Sequence, residues 1–268
     1  MRFRLCTWNV NSVRLRAEQA ARFVAEQAPD VLCMQEIKCQ EGEFPAEAFK
    51  EMGLPHLKIA GQKGWHGVAI ASRFPIEDAK PLQVCREGHA RCVGGTIAGV
   101  EVHNFYIPAG GDIPDRELNP KFDHKLDFYE KLTADLATRD PKAPLALVGD
   151  LNVAPGEFDV WNHKYMSKVV SHTPIEIEAF RAMEKAGSLI DVTRSTSPEP
   201  TKLASWWSYR AADFRQSNRG LRLDHILVTP GLRDAAWREG ASASRVHDDV
   251  RAWERPSDHA PVSADFVL

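Results

Sequence analysis

The stretch Pro144-Leu-Ala-Leu-Val148-Gly-Asp150-Leu-Asn152 says most about the fold. Its first part is a short apolar run, which is typical of a strand that is buried on both faces of its sheet. The run stops at a glycine, and a carboxylate and a carboxamide follow. The stretch therefore predicts a buried strand that ends in polar side chains.

Similar apolar runs recur along the chain, separated by stretches with helical spacing. Strands are predicted over residues 3–8, 30–35, 68–71, 100–105, 144–148, 203–209, 222–229, 242–247 and 260–267. Helices are predicted over residues 14–28, 45–52, 121–138 and 176–186. These strands are too numerous for a simple alternation of strands and helices. We therefore expect a mixed α/β fold in which two packed sheets are flanked by helices.

The composition is typical of a soluble globular protein. The chain has 268 residues, of which 43% are hydrophobic and 26% charged, and this excludes a disordered chain, a collagen-like repeat and a coiled coil. Because no repeat, low-complexity segment or long linker interrupts it, we expect one continuous domain over residues 1–268. The formal net charge of −3 does not indicate a strongly basic nucleic-acid binder, but it does not tell where the charges lie.

The cysteines and the first residues indicate the compartment. The five cysteines include no Cys-x-x-Cys pair, which fits neither a disulfide framework nor a zinc site. No stretch approaches the ~18 apolar residues that span a bilayer. The segment Met1–Asn9 turns polar before the apolar region of a signal peptide could form. We expect a cytoplasmic protein without a membrane partner.

Polar side chains stand where several predicted strands begin or end. They are Asn9, Asn11, Glu36, Asp150, Asn152, Asp224, Asp258 and His259. One such residue alone is more typical of a turn or a helix cap. Glu36 fits that explanation least, because a carboxylate that closes an apolar strand has no local backbone donor. Since loops converge at the ends of neighbouring strands, we expect one acidic, oxygen-rich cluster with a single imidazole.

An oxygen-rich cluster of this kind favours Mg²⁺, or alternatively Mn²⁺, over zinc. A metal would neutralise phosphate oxygens, and a carboxylate–imidazole pair would activate water, so the chemistry indicated is hydrolysis of a phosphate ester. The sequence has no nucleophile-elbow serine, P-loop or Gly-x-Gly-x-x-Gly fingerprint. Acyl transfer and nucleotide-fold chemistry are therefore not indicated.

Eight short blocks match, in order and spacing, those of a known family. They are Trp8-Asn-Val-Asn11 with Arg14, Gln35-Glu-Ile-Lys38, Gly61-Gln-Lys-Gly64 with Gly67-Val-Ala69, Asn104-Phe-Tyr-Ile-Pro108, Gly149-Asp-Leu-Asn152, Ser205-Trp-Trp-Ser-Tyr-Arg210, Asn218-Arg-Gly-Leu-Arg-Leu-Asp224 and Ser257-Asp-His-Ala-Pro261. With these blocks the chain resembles the exonuclease III family of abasic-site (AP) endonucleases, in the endonuclease/exonuclease/phosphatase superfamily. The resemblance runs from the first predicted strand to the last.

The resemblance implies a fold, an activity and a partner. The fold would be a four-layer α/β sandwich, with two packed mixed β-sheets flanked by helices and the site at one edge. The activity would be Mg²⁺-dependent cleavage of double-stranded DNA 5′ to abasic sites, with removal of 3′ nucleotides and trimming of 3′ ends, in base excision repair. The protein would act as a monomer.

The resemblance also implies which residues bind the metal. Glu36 would be the main ligand, with Asn9 and Asn11 beside it and Asp258 as a further carboxylate near the metal. Asn11 is a neutral residue where many relatives carry a carboxylate, which would weaken a second metal position.

The catalytic roles follow in the same way. Asp150 would position or deprotonate the attacking water, and Asn152 and Tyr106 would donate hydrogen bonds to the phosphate. Asp224 and His259 would form a coupled pair at the phosphate. For His259, action as a base and a cationic contact to the phosphate both remain open.

A basic and aromatic segment over residues 202–222 indicates where DNA would lie. Basic and aromatic residues alternate there, and basic residues track phosphates while aromatic rings pack on sugars or bases. A solvated loop anchored by tryptophans would give the same pattern. The predicted DNA contacts are Arg14, Gln62, Lys63, Trp206, Arg215, Asn218, Arg219 and Arg222, with Trp206 as the wall of a sugar pocket.

Three alternatives remain open. A phosphatase or phospholipase of the same superfamily would keep the cluster but would not need the basic segment. A 3′-exonuclease with little AP-endonuclease activity would result if His172 filled part of the sugar pocket, although His172 also fits an ordinary loop histidine. A non-catalytic binding protein would have no reason to hold the whole set of Glu36, Asp150, Asn152, Asp224 and His259.

Overall fold

Two six-stranded sheets form the centre of the part of the chain that the structure describes, a computed structural model covering residues 1–79, 82–210, 213–237 and 243–268. Strands and helices are numbered in chain order. The first sheet has the order β11 (Ser244–Val246), β12 (Val262–Val267), β1 (Arg2–Asn9), β2 (Val31–Gln35), β4 (Val68–Ser72), β3 (His56–Ala60). The second has the order β5 (Glu77–Asp78), β6 (Cys92–Ile97), β7 (Val100–Tyr106), β8 (Leu145–Asp150), β10 (Asp224–Val228), β9 (Ile190–Asp191).

Both sheets are mixed, and their strand directions determine where the polar strand ends meet. β1 runs parallel to β2, and β7 runs parallel to β8, whereas β10 is antiparallel to β8 with Asp224 opposite Asp150. The last residues of β1, β2, β7 and β8 and the first residue of β10 therefore lie at one edge of the packed sheets.

Helices cover the outer face of each sheet. The helices in the described ranges are α1 (Ala17–Gln27), α2 (Ala46–Glu51), α3 (Pro120–Leu136), α4 (His163–Met166), α5 (Pro174–Ala186), α6 (Val192–Thr196), α7 (Phe214–Ser217) and α8 (Pro230–Trp237). Val192 of α6 and Leu232 of α8 instead pack in the core between the sheets. Phe23 of α1 and Phe49 of α2 pack with Trp8 on the first sheet. Phe128 of α3 and Phe180 of α5 pack with Phe105 on the second. The layers are thus helix, sheet, sheet and helix, which confirms the predicted four-layer α/β sandwich.

The apolar strands are buried because each face of a sheet meets a different layer. In β8, Ala146 and Val148 point into the core between the sheets, while Leu145 and Leu147 point towards the helices. Successive side chains of a strand alternate between its faces, so a strand that is covered on both sides reads as a continuous apolar run. The apolar run over residues 144–148 lies in such a strand.

Two differences from the predicted elements have physical causes. The predicted strand over 203–209 is wrong, because the backbone amides of Ser205 and Trp206 both donate to the carbonyl of Leu221 and the segment makes isolated bridges instead of a ladder. The missed strand β6 carries Gly94, which breaks the apolar pattern. A Cβ at this position would lie 2.2 Å from Nδ1 of His103, so the close approach of β7 requires glycine.

Two further points concern the chain as a whole. The predicted strand over 242–247 corresponds to β11, and its first residue lies outside the described residues. Of the helices in the described ranges, none is both long and apolar enough to cross a lipid bilayer.

Candidate active site

One carboxamide joins the carboxylates of the two sheets. Asn9, the last residue of β1, donates from Nδ2 to Oε1 of Glu36 and to Oδ2 of Asp150, in each case over 3.0 Å. Glu36 directly follows β2, and Asp150 ends β8. The amide hydrogens of Asn9 therefore hold the two carboxylates at a fixed separation.

Tyr106 ends β7 and adds a hydroxyl donor to this group. Its hydroxyl donates to Oε1 of Glu36 over 2.8 Å, and the guanidinium of Arg91 lies 4.9 Å from the centre of its ring. Burial raises the pKa of Tyr106 well above its usual value of 10, and the neighbouring Glu36 raises it further. The phenol therefore keeps its proton and acts as a hydrogen-bond donor.

A lysine supplies positive charge beside Glu36. The backbone of Glu36 and of Lys38 is left-handed, with φ of 51° and 52°, and this turn brings the lysine back to the cluster. The ammonium of Lys38 lies 2.8 Å from Oε2 of Glu36 and donates to Oδ1 of Asn11 over 2.6 Å. Although burial raises the pKa of Glu36, the hydrogen bonds from Asn9 and Lys38 outweigh it and leave the pKa below its usual value.

Asp258 lies on the other side of Asn11. It accepts from Nδ2 of Asn11 and from the indole N–H of Trp206, both over 3.0 Å. Burial raises the pKa of Asp258, but the charge of His259 and these hydrogen bonds lower it more, so that it stays below 3.8. The carboxylate is therefore ionised near neutral pH.

His259 connects Asp224 to Asp150. Its Nδ1 lies 2.8 Å from Oδ2 of Asp224, and its Nε2 lies 3.7 Å from Oδ2 of Asp150. Burial lowers the pKa of His259, yet the two carboxylates raise it well above the usual value. Burial raises the pKa of Asp150, the charge of His259 lowers it and that of Asp224 raises it, with a net rise. The three groups form a tightly coupled buried unit.

The Gly149-Asp150-Leu151-Asn152 block adopts a backbone that only glycine permits at its first position. A Cβ on Gly149 would lie 2.0 Å from the carbonyl oxygen of Phe105. Asn152 has a φ of 55°, its backbone N–H donates to Oδ1 of Asp150 over 3.1 Å, and its Nδ2 donates to the carbonyl of Ile107 over 2.9 Å. The tight turn thus orients both polar side chains.

A cavity of about 540 Å³ opens onto these groups. Glu36, Tyr106, Asp150, Asn152 and His259 line its polar side. Its other side is largely apolar and is lined by Ala109, Trp161, Met166, Val169, Val170, Trp206, Leu221 and Leu223. The site therefore combines ionised groups with a space for an uncharged, compact part of a substrate.

The oxygen atoms near Glu36 fit a hard divalent cation. Glu36 and Asp258 provide carboxylates, Asn11 provides an amide oxygen, and the ammonium of Lys38 already contacts two of these three groups. A second set, Asp150, Asp224 and His259, has one ligand atom from each residue within 4.8 Å of the others. His259 suits a metal less well there, because flanking carboxylates favour its protonated form, which has no free lone pair.

A family model described as the endonuclease/exonuclease/phosphatase family matches residues 6–259, which is nearly the whole chain. The chain belongs to this family. The match includes every residue of the polar cluster and leaves out the start of β1 and the whole of β12.

Relatives within the endonuclease/exonuclease/phosphatase family act on DNA according to their names. Exodeoxyribonuclease III of Haemophilus influenzae is 32% identical over 278 residues, which cover 97% of this chain and 98% of the relative. An AP endonuclease from Archaeoglobus fulgidus has a TM-score of 0.90 and 32% identity, and covers 99% of this chain and 100% of its own. A 3′ phosphatase from Neisseria, solved with a product DNA hairpin, has a TM-score of 0.86 and 36% identity, and covers 99% of this chain and 100% of its own.

Most of the predicted DNA contacts lie on the surface of this family member. Arg14, Lys63, Arg215, Asn218 and Arg219 are exposed, and Gln62 is half-buried because its Oε1 accepts from the backbone N–H of Ala90 over 3.0 Å. Arg219 lines the cavity and lies 4.9 Å from the centre of the Trp161 ring. The roles of these residues in binding DNA stay predictions.

The structure contradicts the predicted DNA contact of Arg222. Its side chain is 1% exposed, and it donates to both oxygens of Asp159 over 2.7 and 2.9 Å and to Oδ2 of Asp191 over 2.6 Å. The sequence did not show this, because Arg219 and Arg222 lie in one basic run and only the fold turns one outwards and the other inwards. Arg222 secures the start of β10 within the core.

His172 does not fill the cavity. It is fully buried, with Nδ1 2.6 Å from the carbonyl oxygen of Ala154 and Nε2 2.8 Å from Nδ1 of His163. Val169, Val170 and Ser171 line the cavity in front of it. The interpretation of His172 as an ordinary buried loop histidine is the one that the structure supports.

Three residues at or beside the site were not predicted from the sequence. Lys38 was quoted in the Gln35–Lys38 block but not assigned, Arg91 has no motif, and Trp161 precedes α4 in an untypical loop. For Lys38 the signal was present, because a lysine two residues after a carboxylate at a strand end reaches it when the chain turns back. Nothing in the local sequence marks Arg91 or Trp161.

Proposed function

We propose that this protein is a Mg²⁺-dependent DNA-repair nuclease that hydrolyses phosphodiester bonds of double-stranded DNA, 5′ to abasic sites and at 3′ ends. The observation that carries the proposal is that Glu36 and Asp150, both bonded to Asn9, line a largely apolar cavity. The charged groups suit a phosphate, and the apolar part of the cavity suits a sugar without a base. The relatives whose names or structures involve DNA support this proposal.

Glu36, Asp258 and Asn11 would hold the cation. A bound divalent cation would neutralise the phosphate oxygens and the leaving oxygen. Mg²⁺, with Mn²⁺ as a substitute, suits this all-oxygen ligand set. Lys38 would then have to leave at least one of its two oxygen partners, because the cation and the ammonium need the same atoms.

The protein groups would divide the reaction between the two sheets. Asp150 orients the attacking water and accepts its proton, and burial raises its pKa, which favours this role. His259 contacts the phosphate as a cation through Nε2, since Nδ1 is committed to Asp224. Asn152 stabilises the charge that develops on the phosphate oxygens through its side-chain amide, and Tyr106 does so once its one hydroxyl hydrogen turns from Glu36 to the phosphate. Among the readings of His259 left open by the sequence, the cationic contact is the one that its two carboxylate neighbours favour.

Three substrates test the proposal. The protein is incubated with a duplex that carries one abasic analogue, with a matched 3′-recessed duplex and with an inositol phosphate, each in Mg²⁺ and in chelator. We expect Mg²⁺-dependent cleavage of one or both duplexes and no release of phosphate from the inositol phosphate. Cleavage of the inositol phosphate alone would instead support a superfamily phosphatase, and no metal-dependent reaction on any substrate would overturn the proposal. The monomeric state and the cytoplasmic location stay predictions from the sequence.

A further inference from the structure

A buried ion pair lies behind the wall of the cavity. Lys125 of α3 and Glu176 of α5 are both fully buried, and the ammonium donates directly to the carboxylate. Charges are costly to bury unless hydrogen bonds satisfy all their polar atoms. The further partners of both groups therefore show which parts of the chain the pair holds in place.

The ammonium of Lys125 holds the loops that follow β7 and β8. It donates to the carbonyl of Asn152 over 2.7 Å and to the carbonyl of Ala109 over 3.3 Å. Asn152 lies two residues after Asp150, and Ala109 lies three residues after Tyr106. Asn152 and Ala109 both line the cavity. One ammonium thus connects the turns that carry two of the proposed catalytic residues.

The carboxylate of Glu176 holds a third segment of the wall. Both of its oxygens accept from the backbone N–H of Ser171 over 2.9 Å, and Oε2 accepts from the backbone N–H and the hydroxyl of Thr173 over 3.1 and 2.6 Å. Ser171 lines the cavity, and its carbonyl accepts from the backbone N–H of Ala154 over 2.8 Å. The pair thus lies at the junction of three wall segments.

The wall is packed tightly around the lysine stem. Gly110 has a φ of 92°, and a Cβ at this position would lie 3.0 Å from Cδ of Lys125 and 3.1 Å from Cγ1 of Val170. The loop therefore passes between the lysine and the opposite wall with no room for a side chain. A small shift of Lys125 would be transmitted to both sides of the cavity.

We propose that Lys125 and Glu176 are positioning residues that determine the specificity of the cavity for a sugar without a base. They hold three wall segments at a spacing that favours the sugar alone over a nucleotide that still carries its base. Neither side chain lines the cavity, so they act through Ala109, Asn152 and Ser171. This inference rests on the proposed function.

The test compares two duplexes that differ only in whether the reacting nucleotide carries its base. The ratio of their kcat/KM values is measured in Mg²⁺ for the wild type, Lys125→Met, Glu176→Gln and the double variant. The single variants leave one buried charge unpaired, and we expect a lower Tm. The double variant restores neutrality and should regain most of the Tm. In all three we expect the preference for the base-free substrate to fall about 10-fold, because the wall segments lose their common anchor.

A core variant far from the cavity separates positioning from stability. Phe3→Ala removes a fully buried ring between the sheets and should lower the Tm without changing the substrate ratio. An unchanged ratio in the folded double variant, or an equal fall of the ratio in Phe3→Ala, would overturn the inference. If the wild type cleaves neither duplex in Mg²⁺, the proposed function itself is wrong, which is a different outcome from an unchanged ratio.

Discussion

His259 lies between two carboxylates, with Nδ1 2.8 Å from Oδ2 of Asp224 and Nε2 3.7 Å from Oδ2 of Asp150. The relationship follows from the strand pairing, because Asp224 begins β10 directly opposite the end of β8. The backbone of His259 is held as well, since the indole N–H of Trp8 donates to its carbonyl over 3.1 Å. One nitrogen is therefore committed to the protein, while the other faces the proposed reaction centre.

Replacing the imidazole tests what its free nitrogen does. In His259→Asn, the new amide can still bond Asp224 but cannot reach the position of Nε2. We expect the single-turnover rate of DNA cleavage to fall about 10²–10³-fold, as for the loss of a hydrogen-bond donor that stabilises developing charge. Thermal unfolding, measured on the same samples, should change little. A rate within a few-fold of the wild type would show that Nε2 has no catalytic role.

Removing Lys38 should strengthen metal binding. The ammonium contacts Glu36 and Asn11 and so competes with a divalent cation for their oxygens. For Lys38→Met, whose side chain has similar length and no charge, we expect Mn²⁺ or Mg²⁺ to bind about 10-fold more tightly in calorimetric titrations, a change of about 1.4 kcal/mol. Lys63→Met, in the exposed loop over residues 61–67, serves as the control and should bind metal like the wild type. Weaker metal binding by Lys38→Met would show that the lysine supports the site.

Two neighbouring arginines should behave differently on substitution. Arg219 is exposed beside the cavity, so Arg219→Ala should weaken DNA binding and reduce the slope of log K against log salt by about 1. Arg222 is buried against Asp159 and Asp191, so Arg222→Met should destabilise the fold by about 3–5 kcal/mol and leave the salt slope unchanged. Fluorescence anisotropy at several salt concentrations and denaturant unfolding measure the two effects. The reverse pattern would contradict the assignment of both residues.

A buried histidine outside the set of proposed catalytic residues should make stability depend on pH. His247 is 2% exposed, and its pKa falls from 6.5 to about 4, mainly because of burial and with a further effect of Arg245. The unfolded chain therefore takes up this proton below about pH 6.5, and the folded protein only near pH 4, so stability is lost as the pH falls from 6.5 towards 4. At pH 5 the loss is about 2 kcal/mol.

The variant His247→Gln isolates this contribution. The free energy of unfolding is measured at pH 7.5 and pH 5 for both proteins, and the fall should be about 2 kcal/mol smaller in the variant. All other titrating groups are common to the two proteins and cancel in the comparison. If the free energy of unfolding fell equally in both proteins, protonation of His247 would not contribute to the pH dependence of stability.

Sequence periodicity predicted the strands and helices in which all residues on one face pack against the same kind of surface. β8 was predictable because both of its faces are covered by apolar layers, and Asp150 and Asn152 were predictable because they end that run. The segment 203–209 was not, since its alternating burial comes from an irregular backbone that bonds Leu221. Arg222 shows the same limit, because a basic run does not reveal which arginine finds buried carboxylates until distant parts of the chain are brought together.

The measurement that tests the central claim most directly is single-turnover cleavage of an abasic duplex with and without Mg²⁺. The wild type and Glu36→Gln are compared in chelator and after Mg²⁺ is added back, with DNA binding followed by anisotropy on the same samples. The account predicts that the wild type cleaves only when Mg²⁺ is present, and that Glu36→Gln binds the duplex comparably but cleaves it at least about 100-fold more slowly. Cleavage that persists in chelator, or a rate for Glu36→Gln close to that of the wild type, would contradict it.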